Sequence, residues 1–184
     1  MENEVLIGGI EKRPIVIVDY DPSWPDKFDL HAAIIEKALG GAALSIEHTG
    51  STSVPGLAAK PIIDIIVEVS DSSDEDFYLP ALVAAGYVLR VREPDWHEHR
   101  MFRTPEKDVH IHIFSPDCPE TKRQRAFRAW LRENEVDRQR YEAVKRKLAD
   151  QDWPDMNSYA QAKSEIIEEI IAKVLDRAER NLVE

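Results

Sequence analysis

Residues Ile62 to Val69 constrain the fold more than any other stretch of this sequence: an apolar run broken only by Asp64 and Glu68 and opened by Pro61. Its length and β-branched content suit a strand. Its near-continuous apolarity predicts burial on both faces, as in a sheet covered on each side.

Spacing and punctuation place the other elements around it. Ile15 to Tyr20 reads as a strand by its β-branched content. Asp21, Pro22 and Ser23 offer a turn and an N-cap. Trp24 to Leu39 then forms an amphipathic helix with Phe28, His31, Ile35 and Leu39 at helical spacing, stopped by Gly40 and Gly41. A short strand at Leu44 to Glu47 enters a loop from His48 to Gly56 that is dense in Gly, Ser, Thr and Pro. Beyond the apolar strand, the acids of Asp71 to Asp76 start a helix that runs to Ala85 and stops at Gly86. Tyr87 to Arg92, Arg100 to Arg103 and Val109 to Phe114 read as three further strands, with a polar loop from Glu93 to His99 between the first two. From Pro119 the pattern is helical, with breaks at Asn134 and at Asp150 to Asp155 that make three helices. The last carries Tyr159, Ala162, Ile166, Ile167, Ile170, Ile171, Val174 and Leu175 on one stripe. The order predicts an α+β fold in one domain of 184 residues: a mixed β-sheet flanked by helices over about residues 1–117, and a helical C-terminal part over about 118–184.

Composition narrows the class. With 43% apolar and 32% charged residues the chain has a soluble globular balance. No apolar run approaches the roughly 20 residues that cross a bilayer, which argues against a membrane partner. Met1 to Glu4 lacks the basic start and apolar stretch of a signal peptide. The single cysteine, Cys118, reads as a loop thiol, and a reducing cytoplasm fits best. A net charge of −11 argues against strong general binding to nucleic acid. Yet Lys122 to Lys147 holds ten Lys or Arg against four Asp or Glu. Such a stretch faces a phosphate-bearing ligand or, more simply, forms the solvated side of helices. Trp24, Trp130 and Trp153 read as packing anchors.

The sequence becomes specific between Glu47 and Asp64. That segment, with His48, Gly50, Ser51, Thr52, Ser53 and Lys60, resembles the signature of the GrpB family, and Tyr20 to Pro25 resembles that family's N-terminal motif. The resemblance continues through Val109 to Ile113 and through the C-terminal helices with Tyr141 and Lys163, and so covers nearly the whole chain. It implies a nucleotidyltransferase-like fold. Domains of this kind also occur fused to dephospho-coenzyme A kinase, and most members have no firmly assigned reaction.

The chemistry of that superfamily can be tested on these residues. A Gly-Ser turn lies beneath a nucleotide's phosphates, where backbone N–H groups and a hydroxyl meet phosphate oxygens, and glycine permits close approach. A strand then presents two carboxylates at i and i+2, on one face, for two metal ions. Gly50-Ser51 and Asp64 fit, with twelve residues between Ser51 and Asp64. The second carboxylate is missing, because position 66 is Ile. Glu68 stands about 13 Å along the strand, too far to share a metal.

His110 and His112 alternate on a strand, so both point to one face, and they are the candidates to replace the lost ligand. Asp64, His110 and His112 are thus the expected catalytic and metal-binding residues. The resemblance implies a divalent metal such as Mg, Mn or Zn, while imidazoles beside a carboxylate suit zinc, manganese or iron better than magnesium. His48, Gly50, Ser51, Thr52, Ser53, Lys60, Arg100 and Arg103 are the expected ligand-binding residues, the two arginines because guanidinium groups fit phosphate. Two functions stay open: an enzyme acting on phosphate esters, or a module that binds a nucleotide or coenzyme A precursor without chemistry. The pattern is compatible with a monomer or a homo-oligomer.

Overall fold

The structure is a computed structural model that describes residues 5–181; the polar start Met1 to Glu4 lies outside the described residues. Six strands form one mixed sheet: β1 (Val5–Leu6), β2 (Ser45–Thr49), β3 (Ile63–Glu68), β4 (Val88–Glu93), β5 (His99–Arg103) and β6 (Val109–Phe114), in the order β1-β4-β5-β6-β3-β2. Only β3 and β6 pair in parallel. The apolar run is β3, hydrogen-bonded on both edges, and Ile63, Ile65, Ile66 and Val67 are fully buried.

The two faces of β3 meet different layers. Ile63, Ile65 and Val67 pack with Ile111, Ile113 and Phe102 beneath α1 (Trp24–Leu39) and α2 (Leu79–Ala84), which contribute Ile35, Leu39 and Leu82. Asp64, Ile66 and Glu68 face the C-terminal helices: α3 (Pro119–Glu133), α4 (Glu135–Ala149), α5 (Met156–Ala162) and α6 (Ser164–Asn181). Ile66 packs there on Phe114 and Cys118, and Glu68 pairs with Arg125 at 3.0 Å. A second apolar cluster, with Val54, Leu57, Leu131, Tyr141, Ile166 and Ile170, ties these helices to the loop after β2. The α+β expectation is met. No helix among the described residues is long and apolar enough to cross a membrane.

Local chemistry explains the departures from the sequence expectations. Ile15 to Tyr20 is no strand: Val18 alone bridges to Ala59, and β propensity needs a partner that the rest of the segment does not find. The acids from Asp71 to Asp76 start only a short 3-10 turn, Glu75–Phe77, and not the expected α-helix. The Asp71 carboxylate accepts from the Ser73 N–H and hydroxyl, so side-chain turns outcompete helical bonds, and α2 begins only at Leu79. Among the described residues the C-terminal helices number four rather than three, because the chain breaks again at Lys163 and leaves Tyr159 and Ala162 on α5. Leu175 is exposed, so the apolar stripe ends before it. Cys118 is a free thiol in the loop before α3, as expected, but it is buried against Ile66 and Phe114. Ahead of Ile15, where the sequence pattern offers no element, β1 pairs with β4.

Candidate functional site

Across the parallel pair, Asp64 stands in register with His110, and Ile66 with His112. Strand alternation turns all three polar side chains to the face of the C-terminal helices. His110 Nδ1 lies 3.5 Å and His112 Nε2 3.4 Å from Asp64 Oδ1, and the three ligand atoms lie within 4.8 Å of one another. Donor atoms of a tetrahedral shell with bonds of about 2.0 Å stand roughly 3.3 Å apart. Two of the three separations therefore already suit one cation. Burial alone would raise the Asp64 carboxyl, but hydrogen bonds and positive charge from His110 and His112, when their rings carry the added proton, hold it well below the usual carboxylate range.

A hydrogen-bond chain stands behind His112. Glu93 Oε2 lies 2.6 Å from His99 Nδ1, and His99 Nε2 lies 3.0 Å from His112 Nδ1. A carboxylate only accepts, so His99 donates from Nδ1. Burial pushes the His99 pKa down to about 4, against the pull of Glu93, and keeps the ring neutral. Its Nε2 then accepts from His112 Nδ1–H, which selects the His112 tautomer with a lone pair on Nε2. That lone pair and the Asp64 carboxylate face each other as two acceptors, a gap bridged by a cation or by an added proton. Sequence reading saw His99 only as part of a polar loop. The signal for it was alternation, since His99, Met101 and Arg103 share the face of His112 and His110 in the β5–β6 register.

Gly50 closes the site from above. Its φ of 68° and ψ of −174° lie in a region essentially restricted to glycine. A Cβ there would stand 2.5 Å from Asp64 Oδ2. The next residues form a single 3-10 turn, Ser51–Ser53, braced from below. Thr52 Oγ1 donates to the Ile62 carbonyl at 3.1 Å and accepts from His48 Nε2 at 3.0 Å, while Ser53 Oγ donates to the Gly50 carbonyl at 2.6 Å. The Thr52 and Ser53 hydroxyls thus hold the loop, and Ser51 lines the cleft.

The cleft between sheet and C-terminal helices has two lobes. One, of about 250 Å³, lies among Gly50, Phe127, Arg128 and Tyr141; the other, of about 200 Å³, among His110, Lys60 and Lys145; Ser51, Asp64 and Lys163 line both. Burial and neighbouring positive charge push Lys60 down to about 8 and Lys145 to about 7. The remaining expected ligand residues stand elsewhere. His48 turns to the opposite sheet face and stacks on Phe28 of α1, with ring centroids 4.9 Å apart. Arg100 also faces away and pairs with Glu75 at 2.6 Å. Arg103 is on the site's face but is held by both carboxylate oxygens of Glu11, at 2.7 and 2.9 Å. Much of the basic stretch is paired too: Arg125 and Arg128 both reach Glu47 on β2.

Comparison with known proteins places this geometry in a family. The chain matches the description "GrpB protein" over residues 14–173. It is 50% identical over 172 residues to a UPF0157 protein of Halalkalibacterium halodurans, covering 92% of this chain and 88% of that one. It is 28% identical over 180 residues to a dephospho-CoA kinase of Mycolicibacterium paratuberculosis, spanning 84% of this chain but only 44% of that protein. Among solved structures, GrpB from Enterococcus faecalis superposes with a TM-score of 0.76 at 32% identity, covering 89% of this chain and 99% of that chain. Since the match runs through the Gly50 loop, β3 and β6 and on into the C-terminal helices, the chain belongs to the GrpB family, also called UPF0157.

Proposed function

We propose that this chain is a divergent nucleotidyltransferase-like protein that binds a nucleotide or another phosphate-bearing ligand with a divalent cation held by Asp64, His110 and His112. The supporting observation is the convergence of those three side chains, with Asp64 standing directly against Gly50. The second carboxylate of the superfamily would occupy position 66, which is a buried Ile. His112 is the register partner of Ile66 on the neighbouring strand. An imbalance on β3 is thereby compensated from the side, by an imidazole one strand spacing away. Two imidazoles and one carboxylate favour zinc, manganese or iron over magnesium.

When bound, such a cation polarises a phosphoryl oxygen. The chain's own residues do the rest. Gly50 lets a phosphate approach the backbone, the Ser51 hydroxyl lines both lobes, and Glu93 with His99 orients His112. Asp64→Asn should weaken Mn²⁺ or Zn²⁺ binding by about tenfold or more and abolish metal-dependent turnover of ATP. Calorimetry and a phosphate-release assay measure both, and wild-type cation affinity in the variant would remove this reading.

A second reading, binding without chemistry, draws on Ile66 and on the similarity to a dephospho-CoA kinase, in which the matching region is under half of the protein. Calorimetry with ATP, GTP and dephospho-coenzyme A separates the two. Tight binding with no turnover selects the second reading, and binding of none of them removes both.

A further inference from the structure

Lys60, Lys145 and Lys163 line one lobe of the cleft together with Tyr159. Lys60 and Lys163 each hold their ammonium near the Tyr159 ring, with Nζ 5.0 and 4.9 Å from its centroid. Lys145 is 2% exposed, donates to the Ala58 carbonyl, and sits 4.7 Å from the Tyr141 centroid. Each of these lysines feels the positive charge of another, and among the described residues none forms an ion pair. The carboxylate of Glu142, beside Lys145, is already engaged by the Ala58 N–H and by Arg146, both at 3.0 Å.

Three lysines with no ion pair among the described residues, sharing their lobe with the single carboxylate of Asp64, are unexpected in a chain of net charge −11 whose arginines are largely paired. Burying charge without compensation is costly. A second, independent observation falls at the same place. Tyr159 is fully buried, and its hydroxyl is the one buried side-chain polar atom among the described residues with no hydrogen-bond partner. Buried polar groups left orphaned call for an absent partner. A dianionic oxygen group in this lobe would balance the lysines.

We infer that Lys60, Lys145, Lys163 and Tyr159 form a cradle for a second phosphoryl group, next to the one held at Asp64, so that the ligand class is a compound with at least two linked phosphoryl groups. The place of the first phosphoryl group rests on the function proposed above; the lysine cradle does not. Asp64, His110 and Ser51 line the same lobe as the lysines, so the two anion positions are contiguous. The other lobe, with Phe127, Tyr141 and Arg128, leaves room for an organic group beyond the first phosphoryl.

The test is calorimetry on the full chain with pyrophosphate and orthophosphate, with and without Mn²⁺, on wild type, Lys60→Met, Lys163→Met and Asp64→Asn. Both lysines are only half-buried, and thermal melts establish that the variants fold. Each lysine variant should weaken pyrophosphate binding by about tenfold or more, the size of one charge-assisted contact, and leave Mn²⁺ binding at its wild-type level. Orthophosphate should lose less than pyrophosphate. Pyrophosphate affinity unchanged in both lysine variants, or weakened no more than that of orthophosphate, overturns the cradle. Lysine-dependent pyrophosphate binding in a protein that binds no Mn²⁺ instead overturns the metal reading and leaves the cradle standing. An ADP arm tells the sources apart: tighter binding than pyrophosphate means a nucleotide-borne group, equal binding the free anion, and both support the cradle.

Discussion

Gly50 answers to two independent demands, one on its backbone and one on its missing side chain. A left-handed φ of 68° costs any other residue strain, and the Asp64 carboxylate stands where a Cβ would go. Gly50→Ala should therefore destabilise the fold by about 1–3 kcal/mol and displace Asp64. Thermal denaturation and Mn²⁺ calorimetry read the two effects separately, and an alanine variant with native stability would refute the steric account. Glu93 acts on the triad without touching it, through His99 and then His112. Glu93→Gln removes the charge but keeps an acceptor, and should weaken cation binding by about tenfold, as outer-shell partners of metal ligands do. Unchanged affinity would reduce the chain of hydrogen bonds to packing. Both residues are in the sequence for anyone to see. Gly50 was legible because its motif is local; the link from Glu93 was not, since it depends on β4, β5 and β6 lying side by side.

At the scale of elements, His48 joins three pieces: its ring stacks on α1, its Nε2 donates to Thr52 in the loop, and its carbonyl accepts from Arg128 on α3. Burial pushes its pKa down from 6.5 to about 4, with Arg132 and Arg128 adding to the effect against the pull of Asp64. A depressed folded-state pKa means stability that is present above pH 6.5 and lost as pH falls towards 4. His48→Gln should flatten the acid loss in that window, by on the order of 2 kcal/mol, in denaturation curves taken at pH 7, 5.5 and 4. Identical pH dependence in the two proteins would remove His48 from the account. Elements whose identity rests on local patterning were readable in advance: α1 from Trp24 to Leu39, β3, and β6 from Val109 to Phe114. Those where side chains compete with the backbone were not, as Asp71 shows by capping Ser73 instead of opening a helix.

Over the whole molecule, the sheet divides two layers with different tasks. On one side α1 and α2 bury the odd positions of β3 in the main core; on the other, the C-terminal helices stand off far enough to leave a two-lobed cleft over the even positions. Arg125 and Arg128 fasten α3 to Glu47 and Glu68 at the cleft's edge, which explains much of the local basic excess without any ligand. The apolar run of β3 by itself determined that a doubly covered strand would carry Asp64, because an almost wholly apolar segment has no face to offer water. The Gly-Ser loop and the alternation of His110 and His112 likewise follow from local rules of two or three residues. What only the tertiary structure decided is which distant residues share the site. His99 and Glu93 come to His112 through strand order, Lys145 and Lys163 to Lys60 through the packing of α4 and of the α5–α6 break, and His48 and Arg100 leave by pointing to the other face. Those outcomes depend on register and on layer packing, which are set by contacts between segments far apart in the chain rather than by the residues of any one segment.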